Sequence, residues 1–96
     1  MNGLVFEWDA RKSRENKRKH GVSFEEAQTV FLDERALRFY DPDHSEDEDR
    51  FILLGLSFAL RELVVCHCFR ADESAIRIIS ARKATRREAA AYRREP

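Results

Sequence analysis

Ile78-Ile79-Ser80-Ala81-Arg82-Lys83-Ala84-Thr85-Arg86-Arg87-Glu88 reads as a buried strand that stops at two cations and runs straight into a helix. Ile78 and Ile79 are β-branched and suit a pleated, half-buried surface, and Thr85 with Glu88 three residues later is a helix-opening capping box. The junction holds Arg82 and Lys83 on rigid backbone at a strand end. Both suit an anion such as phosphate, the guanidinium as a planar fork and the ammonium as a point charge. Strict strand alternation places Arg82 on one face with Ile78 and Ser80, and Lys83 on the other with Arg77. On that count Arg82 is the candidate for chemistry and Lys83 a binding or electrostatic residue.

Upstream, strands joined by short turns are expected at Ala36 to Tyr40, Arg50 to Phe58, Leu63 to Arg70 and Ala75 to Lys83. Asp41-Pro42-Asp43-His44, Leu60-Arg61-Glu62 and Asp72-Glu73-Ser74 supply the turns. Further upstream, Leu4 to Trp8 is a short strand. Asp9 caps a charged helix over 10–19 that ends at His20-Gly21, and Ser23-Phe24-Glu25-Glu26 is a second capping box. Phe24, Ala27, Val30 and Phe31 form an apolar stripe at helical spacing, and a last helix runs over 86–94. The order is β-α-α-β-β-β-β-α: an α+β fold with a small antiparallel sheet and helices packed on one face. The 96 residues, without repeat or linker, form a single domain over 1–96.

Eighteen basic and eighteen acidic residues cancel, so their distribution carries the information. Basic clusters lie at Arg11 to Lys19 and at Arg82 to Arg94, and acids gather between Asp41 and Asp49. A neutral chain can thus present a locally positive face. The acidic stretch lacks the glycine and terminal glutamate of a calcium loop and reads as a solvated loop. No segment reaches the roughly 20 apolar residues of a membrane span, and MNGLVFEWDA has no basic segment leading into an apolar one. A soluble, cytoplasmic protein is expected.

In Cys66-His67-Cys68 both cysteines point one way and the histidine the other, so the three cannot chelate one ion, and no further cysteine completes a zinc site. No metal or other cofactor is expected, and the cysteines read as small core residues. His67 is either an inert histidine at a sheet margin or a general acid or base, imidazole titrating near about 6.5. Across a hairpin it would face residue 78 or 79, near Arg82. Arg50, Arg70 and Arg77 are strand or strand-end cations: solvated rim charges singly, a phosphate platform if collected on one face. Lys12 and Lys19 belong to a helix whose cations go most of the way round, part solvated surface and part phosphate contact. Phe6 and Trp8 read as core packing.

Phe6-Glu7-Trp8-Asp9, Lys12, Asn16, Lys19-His20-Gly21-Val22-Ser23-Phe24-Glu25-Glu26-Ala27, Asp41, Asp43, His44, Ser45, Arg50 and Arg77 to Thr85, with Arg87, Glu88 and Tyr92, resemble the BrnT family. These are toxins of type II toxin–antitoxin systems, and the likeness runs through nearly the whole chain. The resemblance implies a RelE-like fold, a metal-independent ribonuclease that blocks translation, and neutralisation by a ribbon-helix-helix antitoxin (BrnA-like) that carries the pair to operator DNA. It further implies cleavage by the RNA's own 2′-hydroxyl. Arg82 would be the main transition-state cation, Arg50 or Lys83 would assist, and His67 would serve as acid or base. Lys83, Arg77, Arg70, Lys12 and Lys19 would then contact RNA. The alternative is a non-catalytic corepressor module that only binds the antitoxin.

Overall fold

The structure, a computed structural model, describes residues 4–94. Residues 1–3, on which the expectation of no leader segment partly rests, lie outside them, as do 95 and 96. The elements follow the expected order: β1 (Phe6–Glu7), α1 (Ala10–His20), α2 (Phe24–Thr29) running into a 3-10 turn (Val30–Leu32), β2 (Leu37–Tyr40), a 3-10 turn (Pro42–His44), β3 (Phe51–Leu56), β4 (Glu62–Phe69), β5 (Ile76–Lys83) and α3 (Arg86–Arg94).

The capping residues set the helix limits. Asp9 accepts from the backbone N–H groups of Arg11 and Lys12 at 2.8 and 3.0 Å. Gly21 ends α1 at φ 70°, a left-handed conformation that glycine takes without steric cost. Ser23 accepts from Glu26 N–H at 3.0 Å. Only half of that box closes. The Glu26 carboxylate turns away to Ser57 Oγ and to the Arg61 guanidinium, which holds it below the usual carboxylate range.

The sheet order is β1-β5-β4-β3-β2. β2 to β5 are antiparallel, as a meander requires, but β1 joins the outer edge of β5 in parallel, Phe6 beside Ile76 and Glu7 beside Arg77. The sheet is therefore mixed. β1 is too short for its direction to be legible from pattern.

The core lies between this sheet and the α1–α2 layer. Val22, Phe24, Ala27 and Val30 are fully buried against Leu53, Leu63, Val65, Ile78 and Ala81. Phe6, Trp8 and Phe31 pack at its margin, Trp8 edge-on to Phe24 at 5.9 Å. α3 meets β3, and its Tyr92 hydroxyl donates to Asp33 Oδ2 at 2.6 Å.

Candidate active site

One extra residue in β5 decides which cations share a face. Val64 stands opposite Arg82 and Cys66 opposite Ser80, but His67 stands opposite Ile78 and Cys68 opposite Arg77. Ile79 has no partner in β4, which is a β-bulge. Below the bulge Ile78 points into the core; above it Ala81 does. Arg77, Ser80 and Arg82 therefore lie together on the face away from α1 and α2. The expected grouping of Arg82 with Ile78, and of Arg77 with Lys83, assumed unbroken alternation and is corrected by the bulge.

On this far face β3, β4 and β5 enclose a cleft of about 250 Å³ floored by Ile52, Val64 and Cys66. Its walls carry Arg50, Arg82, His44 and Asp41. The Arg82 guanidinium meets the Glu88 carboxylate along one edge, Nη1 to Oε1 at 2.8 Å and Nη2 to Oε2 at 3.0 Å, and Nη1 also reaches the Lys83 carbonyl at 3.3 Å. Glu88 is held in place by its capping box: Thr85 N–H donates to Oε1 at 2.8 Å, and Glu88 N–H donates to Thr85 Oγ1 at 3.1 Å. The Arg82 cation beside it draws the Glu88 carboxyl down to about 2.

Arg50 precedes β3, and its buried Nε has no hydrogen-bond partner among the described residues. The nearest carboxylate oxygen recorded for it, Glu48 Oε2, lies 3.8 Å away and is bound by Arg77. His44 Nδ1 is 2.9 Å from Asp41 Oδ2; Asp41 is largely covered while His44 is exposed. The loop between them is knotted to Arg50. The Ser45 hydroxyl donates to the Asp41 carbonyl and accepts from Arg50 N–H, and Asp41 N–H donates to the Arg50 carbonyl at 2.9 Å. The acidic stretch, expected as a solvated loop, thus carries a fixed His–Asp pair into the cleft. Burial pushes the Cys66 thiol up, which keeps it protonated in the cleft floor.

The other expected site residues are placed as follows. His67 is fully buried on the opposite face of the sheet, its ring edge-on to Phe31 at 4.8 Å and Phe69 at 5.5 Å. Its Nδ1 lies 3.1 Å from the Val65 carbonyl, and burial lowers its proton affinity. It cannot meet Arg82, because alternation along β4 sends it to the side opposite Cys66. Its expected role as acid or base is therefore corrected. Arg77 lies on the cleft face but is paired with Glu48, and Arg70 is paired with Glu7 at 3.0 Å. Lys83 stands opposite Leu63 and is exposed, as are Lys12 and Lys19 on α1; none of the three lines the cleft.

His44 and Asp41 are the residues that pattern reasoning passed over, reading them as turn formers. The signal that could have found them was their place in the family-like run Asp41, Asp43, His44, Ser45, Arg50.

These features define a small α+β domain with a cationic cleft on one sheet face. The family of the ribonuclease toxin BrnT, of type II toxin–antitoxin systems, matches over residues 8–88, and the chain belongs to that family. A solved structure with the same fold is the 1.1 Å crystal structure of the Brucella abortus ribonuclease toxin, BrnT, 24% identical with a TM-score of 0.66. The match covers 86% of this chain and 99% of that one. No curated protein matches. Membership implies an antitoxin partner. No helix among the described residues is long and apolar enough to cross a membrane.

Proposed function

We propose that the far-face cleft is the active site of a metal-independent endoribonuclease that blocks translation in the cytoplasm and is neutralised by a ribbon-helix-helix antitoxin, through which the pair reaches operator DNA. The observation that carries this reading is the convergence of Arg50, Arg82 and the Asp41-oriented His44 on one cleft.

With Nδ1–H donated to Asp41, His44 has Nε2 free to take the proton of an RNA 2′-hydroxyl. The 2′-oxygen attacks the adjacent phosphorus and the bond to the 5′-oxygen breaks. The imidazolium then returns its proton to that leaving oxygen. The products are a 2′,3′-cyclic phosphate and a 5′-hydroxyl. Arg82 and Arg50 hold the charge that develops on the phosphoryl oxygens, a task that preorganised donors perform without reorganisation. Two cations in the walls also disfavour a divalent metal by like-charge repulsion. Arg77 extends the cationic track beside the cleft, while Lys83, Arg70, Lys12 and Lys19 act on the polymer through the longer-range field.

The test is incubation of the purified protein with RNA in excess chelator. Cleavage leaving cyclic-phosphate ends is expected, and Arg82→Ala should lower the rate by about 10²–10³-fold while the fold persists. Loss of cleavage on chelation, or parental cleavage by Arg82→Ala, overturns the reading. Intact RNA together with tight antitoxin binding establishes the corepressor alternative instead.

A further inference from the structure

Arg82 offers two hydrogen-bonding edges, and only one of them is taken. A guanidinium has five N–H donors. In Arg82 both Nη1 hydrogens are used, one on Glu88 Oε1 and one on the Lys83 carbonyl, and one Nη2 hydrogen is used on Glu88 Oε2. The Nε–H and the second Nη2 hydrogen have no partner among the described residues, and these two lie side by side along the other edge. That edge is the fork that fits two oxygens of one phosphate.

We infer that Glu88 is a positioning residue of the cleft: its carboxylate grips the Nη1–Nη2 edge of Arg82 and so presents the Nε–Nη2 edge to an RNA phosphate. The inference rests on the ribonuclease reading of the cleft and names a residue that reading does not use. The positioning runs through backbone geometry. The α3 capping box fixes Glu88 against Thr85, Glu88 fixes the guanidinium, and the guanidinium stands at the cleft wall. A lone arginine at a strand end would have to surrender side-chain rotamer freedom on meeting its substrate. Here that ordering is done when the helix forms, so a half-buried ion pair of modest worth to stability has a use in orientation.

Glu88→Gln separates the two roles, because glutamine still closes a capping box but offers the guanidinium only one acceptor oxygen and no charge. The expected result is a kcat lower by about 10²-fold with KM for RNA within about threefold of the parent. In an Arg82→Ala background the same substitution should have no further effect, since Glu88 acts only through Arg82. An uncleavable 2′-deoxy oligonucleotide added to the parent should move the Arg82 Nε–H and Nη2 resonances and leave its Nη1 signals in place. Parental kcat in Glu88→Gln, a double variant slower than Arg82→Ala alone, or Nη1 signals that move while Nε–H stays, each overturns the inference. A parent that cleaves no RNA overturns the ribonuclease reading alone, and the oligonucleotide titration still decides the positioning.

Discussion

Asn16 and Ala81 exchange two hydrogen bonds, Asn16 Nδ2 donating to the Ala81 carbonyl at 2.8 Å and Ala81 N–H donating to Asn16 Oδ1 at 3.0 Å. A side-chain amide thereby serves as the neighbouring strand that β5 lacks beyond the two-residue β1. The same Nδ2 also reaches the Val22 carbonyl at 2.9 Å, which ties the α1–α2 connection to the sheet. Asn16→Ala leaves these buried backbone groups without partners. A loss of about 2–4 kcal/mol is expected, seen as a melting temperature lower by on the order of 10 °C or more. A variant melting within a degree or two of the parent would show that water replaces the amide at little cost.

The two histidines flanking β3 in space should separate by assay. His44→Ala removes an exposed ring from the cleft, so cleavage should fall by about 10²–10⁴-fold with the melting temperature nearly unchanged. His67→Leu replaces a buried ring whose Nε2 has no partner, so stability should move while the cleavage rate stays within about twofold of the parent. The reverse pattern would return the acid–base role to His67.

Stability should fall with acid in two separable steps. His67 is buried neutral, with its proton affinity in the fold lowered from the ordinary 6.5, so the unfolded chain binds the proton first. Its contribution is whole above pH about 6.5 and drains away below. Glu88 lies at about 2 in the fold against an ordinary 4.5, so what it adds is present above pH 4.5 and is lost as pH falls toward 2. Denaturant midpoints measured against pH should lose the upper step in His67→Leu and show a reduced lower one in Glu88→Gln, since Glu26 and Asp33 are also held below the ordinary carboxylate range. The Glu88 share of the lower step is small, because Glu88 is only partly shielded from solvent.

Gly55 is required for space. A Cβ there would lie 2.9 Å from Ala36 Cβ and from Asp33 Oδ2, and 3.0 Å from Val30 Cγ1. Asp33 is not free to yield, since it accepts from Leu56 N–H at 2.8 Å and from the Tyr92 hydroxyl at 2.6 Å. Gly55→Ala should cost about 1–3 kcal/mol by chemical denaturation and should loosen α3 by hydrogen exchange. Full protection of the α3 amides in that variant would show that the carboxylate moves aside freely.

The element order was legible because the chain marks its own helix ends, with Asp9, Ser23 and Thr85 at starts and Gly21 at a stop. Arg50 and Arg82 were legible as strand-end cations, but the cleft that brings them together was not. The bulge was not legible. Ile78 and Ile79 are both apolar, and alternation alone cannot say which of two like residues is the extra one. His67 misled because a histidine in an apolar run resembles a tuned acid or base, whereas its surroundings in the fold are aromatic rings. His44 was hidden for the opposite reason: among so many acids its turn looked merely wettable, and the Asp41 pairing depends on a loop closure that pattern does not carry.

The unpaired Ile79 also bears on how this chain tolerates lost codons. Removal of that residue would leave an apolar strand of regular alternation, acceptable by composition and still able to pair with β4. Every position before it would keep its face, because Ile78 would then adjoin Ser80 in unbroken alternation. Arg77 would stay toward the cleft, and Ile76 and Ile78 would stay turned inward. One in-frame deletion at Ile79 would thus erase the bulge without burying a charge, whereas the same loss within the regular stretch of β4 would turn over the side chains beyond it. At the bulge, the length of β5 is therefore less tightly constrained than its chemistry.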